Sequence, residues 1–194
     1  MVIRMEEKEI EVLDVNQEEL ENIDLKEEKK NNFVKELIEY IKVIVITVAV
    51  TLTVLQFVQI SRVVGDSMLP NYQDGNILLV DKFFYKMQEP EVNDIVVVKY
   101  NHGNVEEQII KRVIAVEGDR IEMRDNKIYR NNELVDEYYI LEDMIGEGDF
   151  VYDIPEGKVF VLGDNRNISL DSRALGYFDF DDDIVGKVFF RVLK

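Results

Sequence analysis

The chain has 194 residues, a formal net charge of -17, one histidine and no cysteine. The length suits one compact domain with an appendage, and the missing cysteines exclude disulfides, cysteine nucleophiles and thiolate metal sites. The acidic excess is shared by the first 42 residues (13 acidic, 7 basic) and the remainder, so neither part offers the basic surface that nucleic acid requires.

Residues 1–40 read as an acidic tail rich in Glu, Lys and Asn, with helix favoured from Gln17 to Lys30, where acidic residues precede lysines. Val43 to Ile60 then holds 18 residues without a charge. A run of that length reaches the lower end for a membrane-spanning helix, and a chain in lipid must satisfy its own backbone. With Ile41 and a snorkelling Lys42, the anchor is placed at 41–60. No Ala-x-Ala follows it, so the segment reads as an uncleaved anchor rather than a signal peptide. Lys29, Lys30, Lys35 and Lys42 lie before the run, and Arg62 stands nearly alone after it. The bias of basic residues towards the cytoplasmic side puts the tail inside and residues 61–194 outside the cell membrane, crossed once.

Beyond Ser61 the sequence changes to short strands separated by turn signals. Strands are expected at Asn76–Val80, Asp94–Tyr100, Gln108–Val116, Arg120–Arg124, Lys127–Arg130, Lys158–Leu162 and Gly186–Leu193, with a tight hairpin at Asp125-Asn126 and a hairpin excursion over about 118–153. No second helical pattern competes, so the fold class is mostly β, an antiparallel sandwich or barrel-like domain behind one transmembrane helix.

Three segments carry chemistry. Gly65-Asp66-Ser67-Met68-Leu69-Pro70 lies five residues past the apolar run and presents Ser67 on a turn constrained by Gly and Pro. In Gln108–Val116, alternation puts Ile109, Lys111, Val113 and Ala115 on one face and Ile110, Arg112, Ile114 and Val116 on the other. Both faces are apolar, so Lys111 belongs to a strand buried on both sides. Burial disfavours its charged form, and a neutral amine can act as a general base towards a serine hydroxyl. An ion-paired or snorkelling lysine is the plainer alternative. The third segment runs from the strand at Lys158–Leu162 into Gly163-Asp164-Asn165-Arg166-Asn167-Ile168-Ser169-Leu170-Asp171-Ser172-Arg173, a loop whose polar groups can bond one another. His102 lies in the turn-like stretch Tyr100–Asn104, a poor setting for a catalytic triad. The acidic run Asp179–Asp183 reads as charged surface, no His/carboxylate cluster has metal-ligand spacing, and no cofactor is implied.

Together these segments resemble the type I signal peptidases, from about residue 40 to residue 194. Gly65-Asp66-Ser67-Met68-x-Pro70 resembles the family's serine motif, Asn93–Val97 its next strand, and Lys111-Arg112-Val113-Ile114 with Gly118-Asp119 its lysine motif. Gly163-Asp164-Asn165-Arg166-x-x-Ser169-x-Asp171-Ser172-Arg173 resembles its final motif. The resemblance implies that Ser67 is the nucleophile, that Lys111 is the general base and that Ser169 hydrogen-bonds the lysine amine. It further implies that Asp171 and Arg173 hold the loop as an ion pair, that Arg112 and Asp164 support the site, and that Met68 sits beside the bound peptide in an oxyanion region with Gly65 and Asp66. The implied substrates are secretory preproteins, cut after small residues of the Ala-x-Ala type. Many members with larger domains carry a serine two positions before the nucleophile, whose hydroxyl helps bind the oxyanion. Gly65 stands there in this chain, as in the Gram-positive branch, leaving the Ser67 N–H as the visible donor.

Two other readings fit less well. A self-cleaving repressor-type protease shares Ser/Lys chemistry, but it needs a basic DNA-binding domain and no anchor. An inactive anchored module that binds exported peptides would have no use for Ser67, Lys111 and Ser169 together.

Overall fold

The computed structural model describes residues 3–103, 105–146 and 148–193. The chain divides after Thr53 into two units. The first belongs to helix α1, Ile3–Phe57. Its segment Asn32–Phe57 is long and apolar enough to cross a bilayer; its 26 residues extend about 39 Å at 1.5 Å per residue, against a hydrocarbon core of about 30 Å. Val43, Ile44, Val45, Ile46, Leu52 and Leu55 all keep more than half of their surface exposed, as a helix suited to a lipid surrounding would.

The helix stops three residues short of the expected boundary. Val58–Arg62 form strand β1, paired antiparallel with β2, Ile77–Asp81, from Val58 opposite Asp81 to Arg62 opposite Ile77. The apolar run therefore serves two elements. Val58 and Ile60 suit an extended backbone as well as a helix, and once a partner strand is within reach the backbone no longer needs an intrahelical ladder.

The remaining strands are β3 (Ile95–His102), β4 (Val105–Ala115), β5 (Arg120–Arg124), β6 (Lys127–Arg130), β7 (Glu133–Leu134), β8 (Phe150–Asp153), β9 (Lys158–Leu162), β10 (Phe178–Asp179) and β11 (Ile184–Leu193), with a short helix α2 at Ser172–Leu175. Seven strands form one sheet in the order β1-β2-β11-β3-β4-β9-β10, and four form a smaller sheet in the order β7-β6-β5-β8. Every pairing is antiparallel. The fold is thus the mostly β architecture expected, and the smaller sheet occupies Arg120 to Asp153. Its β5–β6 hairpin turns through Asp125 and Asn126 at φ of +50° and +59°, the left-handed pair that a two-residue turn of matching twist demands.

Strand β4 is an interior strand of the larger sheet, bonded to β3 on one side and β9 on the other. Lys111 through Ala115 are buried without interruption. One core cluster packs Val113 with Val96, Val98, Val159 and Val161. A second gathers Met68, Val63, Leu78, Val80, Ile95, Val97 and Val188. A third joins Ile121, Met123 and Ile128 of the smaller sheet to Ile114, Phe160 and Leu162 of the larger one. Because both faces of β4 are covered from Lys111 to Ala115, whatever side chain that stretch carries must be apolar or partnered, and Lys111 and Arg112 are the two exceptions to explain.

Candidate active site

Ser67 sits in a turn closed by the Leu69 N–H donating to the Asp66 carbonyl. Gly65, just before it, has φ of +83° and donates its N–H to Asp74 Oδ1 at 2.9 Å. No atom would obstruct a side chain there; the backbone conformation is what selects glycine. The same conformation disfavours a hydroxyl-bearing residue at that position.

Strand β4 brings Lys111 to the turn. Its Nζ lies 2.9 Å from Ser67 Oγ and donates to the Ile110 carbonyl at 2.8 Å. Lys111 is 2% exposed, and among the described residues no carboxylate forms an ion pair with it. Burial dominates its proton affinity, with the more distant Asp171 and Asp164 opposing it and Arg173 adding to it. The result is a pKa lowered to about 8. Two outcomes follow. A lysine acting here as a general base would work in its neutral form, so the rate at low substrate should climb with pH and reach half its plateau near pH 8; a flat profile between pH 6 and 9 would remove the lysine from that role. The folded chain also binds fewer protons than the unfolded chain between pH 8 and 10.5, so stability rises with pH across that window. Below it the fold carries a penalty of about 3 kcal/mol. Lys111→Met should accordingly be more stable than the parent at pH 7, by less than that figure because the Ile110 carbonyl loses its donor, and the advantage should vanish by pH 10.5. Denaturant unfolding at both pH values checks this, and equal stabilities at pH 7 would refute it.

The loop after β9 closes the site from the other side. The Asn165 N–H donates to the Ser67 carbonyl at 2.9 Å. A Cβ on Gly163 would stand 2.6 Å from that carbonyl and 2.2 Å from Ser169 Oγ, so only glycine lets the loop approach this closely. Asp171 is fully buried, accepts from Arg173 Nε and Nη2, each at 2.9 Å, and from the Gly163 N–H at 3.1 Å. It also caps α2. Arg173 donates in turn to the Arg166 carbonyl at 2.6 Å, so the Asp171–Arg173 pair stitches the loop across its width. Asp164, also fully buried, takes a bidentate bond from Arg112 at 2.8 and 2.7 Å and a third from Asn71 Nδ2 at 2.8 Å. The Arg112 guanidinium lies 4.0 Å from the Tyr139 ring centroid.

Two expectations require correction. Ser169 Oγ does not bond the lysine: it is buried, without a hydrogen-bond partner, against Gly163, and the Ile110 carbonyl takes the place at Lys111 Nζ that was expected for it. Met68, expected beside the bound peptide, faces the interior. It is 1% exposed in the second core cluster, where an unbranched thioether fills the gap between Leu78, Val97 and Val188. The His102 side chain lies outside the described residues. Asp66 is exposed and contributes its carbonyl rather than its carboxylate to the site. Three contributors have no assigned role in the sequence reading. Gly163 and Asn165 stand within the final motif, where the adjacency of Gly to a polar run hinted at a close approach. Asn71 gave no signal, because its partner Asp164 is 93 residues away.

The family model described as "Signal peptidase, peptidase S26" matches residues 37–193. Signal peptidase IB of Staphylococcus aureus is 35% identical over 175 residues, covering 81% of this chain and 90% of its own. Signal peptidase I of Bacillus caldolyticus is 39% identical over 160 residues, covering 75% and 86%. The crystal structure of a signal peptidase I from Enterococcus faecalis V583 superposes with a TM-score of 0.45 at 28% identity, covering 53% of this chain and 98% of that one. The matched span contains the turn of Ser67, the lysine of β4 and the closing loop, and the chain belongs to the signal peptidase family, peptidase S26, the serine endopeptidases.

Proposed function

We propose that this chain removes signal peptides from secreted preproteins by a Ser67/Lys111 mechanism, cutting after small residues of the Ala-x-Ala type on the outer side of the cell membrane. The observation that carries the reading is the 2.9 Å contact between Lys111 Nζ and Ser67 Oγ, on a buried strand where the amine has no carboxylate partner among the described residues. In the reaction, neutral Lys111 takes the Ser67 proton as Oγ attacks the carbonyl carbon of the scissile bond. The negative charge on the carbonyl oxygen is met by the Ser67 N–H. The lysine ammonium then returns its proton to the leaving amine, which departs as the mature protein's N-terminus. An ester between Ser67 and the signal peptide remains. Lys111, neutral again, takes a proton from water as its oxygen attacks the ester, then passes that proton to Ser67 Oγ as the ester bond breaks and the signal peptide leaves with a carboxyl terminus.

The setting is consistent with a bilayer. Phe57, at the end of α1, packs against Phe83 and Phe84 with ring centroids 5.0 and 6.0 Å away. Phe83 and Phe84 stay exposed, an apolar surface where the chain leaves the span.

Incubation of the purified protein with a preprotein, followed by sequencing of the new N-terminus, tests the reading. Cleavage directly after an Ala-x-Ala sequence is expected, and an intact preprotein would defeat it. In sealed membrane vesicles, protease added on one side should digest either the acidic tail or the domain bearing Ser67. Loss of both from the same side would overturn the orientation.

A further inference from the structure

The Ser67 N–H has no acceptor among the described residues, and with glycine at position 65 no hydroxyl stands two residues before the serine to share an oxyanion with it. A single donor must then be held in direction by something else. Its peptide unit is shared with the Asp66 carbonyl, and that unit is planar and trans, so wherever the C=O points the N–H points the opposite way. The Asp66 carbonyl accepts from Asn165 Nδ2 at 3.2 Å as well as from the Leu69 N–H. A carbonyl only accepts, so the side-chain end facing it is the amino end. The next peptide unit, carrying the Ser67 carbonyl, is held by the Asn165 backbone N–H at 2.9 Å. One residue therefore grips the peptide on each side of the nucleophile's Cα. Asn165 is itself 6% exposed, and its backbone is fixed by the neighbouring Asp164–Arg112 and Asp171–Gly163 bonds.

We infer that Asn165 is the positioning residue for the oxyanion donor: its side-chain amide, by holding the Asp66 carbonyl, aims the Ser67 N–H at the oxygen that becomes negative in the transition state. A hydrogen bond accepted by that carbonyl also polarises the N–H of the same peptide, strengthening it as a donor. The side chain bonds neither Ser67 Oγ nor Lys111 Nζ; it acts through the Asp66–Ser67 peptide. The inference rests on Ser67 being the nucleophile, and the test keeps the two claims apart.

The test compares the full-length chain with Asn165→Ala and with Asn165→Asp, which keeps the volume but turns an oxygen towards the Asp66 carbonyl. Preprotein cleavage should lose about 30-fold in kcat in the alanine variant, short of the ~10²–10³ that deleting such a donor itself costs, and more in the aspartate variant. KM and the midpoint of the pH profile should stay put. Affinity for a peptide boronic acid ending in the alanine analogue, whose boronate places an oxygen where the oxyanion forms, should fall by the same factor as kcat. Unchanged kcat, a loss confined to KM, a shifted pH midpoint, or failure of both variants to fold would each overturn the assignment. A Ser67→Ala protein that still cleaves would instead remove the nucleophile, which is a separate failure.

Discussion

Ser67→Ala and Lys111→Ala should each reduce preprotein cleavage by at least about a thousandfold, and the two together should do little more damage than either alone. In the proposed mechanism the groups act as one unit: a hydroxyl without a base is a poor nucleophile at neutral pH, and a base without the hydroxyl has nothing to arm. The 2.9 Å separation is within direct proton-transfer reach, and the amine's lowered pKa of about 8 leaves roughly a tenth of it neutral at pH 7. Neither substitution should unfold the domain. Ser67 is only half-buried, and truncating Lys111 removes a charge that the fold desolvates at a cost. Thermal melting beside a cleavage assay separates the two effects. Processing at the parent rate by either folded variant would refute the dyad, and additive losses in the double variant would mean that the two groups work independently.

How far the sequence reaches depends on the range of the physics involved. Lys111 was legible because its setting is local: a lysine amid alternating aliphatics must lie in a doubly covered strand, and β4 is that strand. The Asp125-Asn126 turn was legible for the same reason, since two consecutive residues able to adopt positive φ specify a tight hairpin. The end of α1 was not. Val58, Gln59 and Ile60 fit a lipid-spanning helix and an edge strand equally well, and the choice is made by β2, some twenty residues on. Strands β7 and β10, of two residues each, have no periodicity to read. Within the site, the Asp171–Arg173 pair is two residues apart and could be anticipated from spacing, whereas Asn71 with Asp164 could not. The fate of Ser169 turned on a packing detail: Gly163 brings the chain so close that the hydroxyl lies buried beside it, unpartnered, instead of bonding the amine.

The Asp164–Arg112 pair should show the largest effect on stability. Burial alone would lower the proton affinity of Arg112, and its bond to Asp164 more than offsets this, holding it above its ordinary value. With the Arg112 side chain 10% exposed and Asp164 fully enclosed, neither charge has water to fall back on. Asp164→Ala leaves the guanidinium buried without a counter-charge and should destabilise the domain by about 3–5 kcal/mol. It also strips an acceptor from Asn71, which would retain only the Tyr139 carbonyl. The double variant Asp164→Leu with Arg112→Met should recover most of that loss, because two apolar side chains of similar volume need no compensation. Activity should not recover with it. Asp164 stands between Gly163 and Asn165, the residues that approach the Ser67 carbonyl, and its two arms fix that stretch against β4. Denaturant unfolding read beside preprotein cleavage therefore gives a dissociation: stability returns and catalysis stays low. A double variant as active as the parent would show that the pair has no part in holding the loop against Ser67, and a single variant that loses under 1 kcal/mol would show that water reaches Arg112 after all.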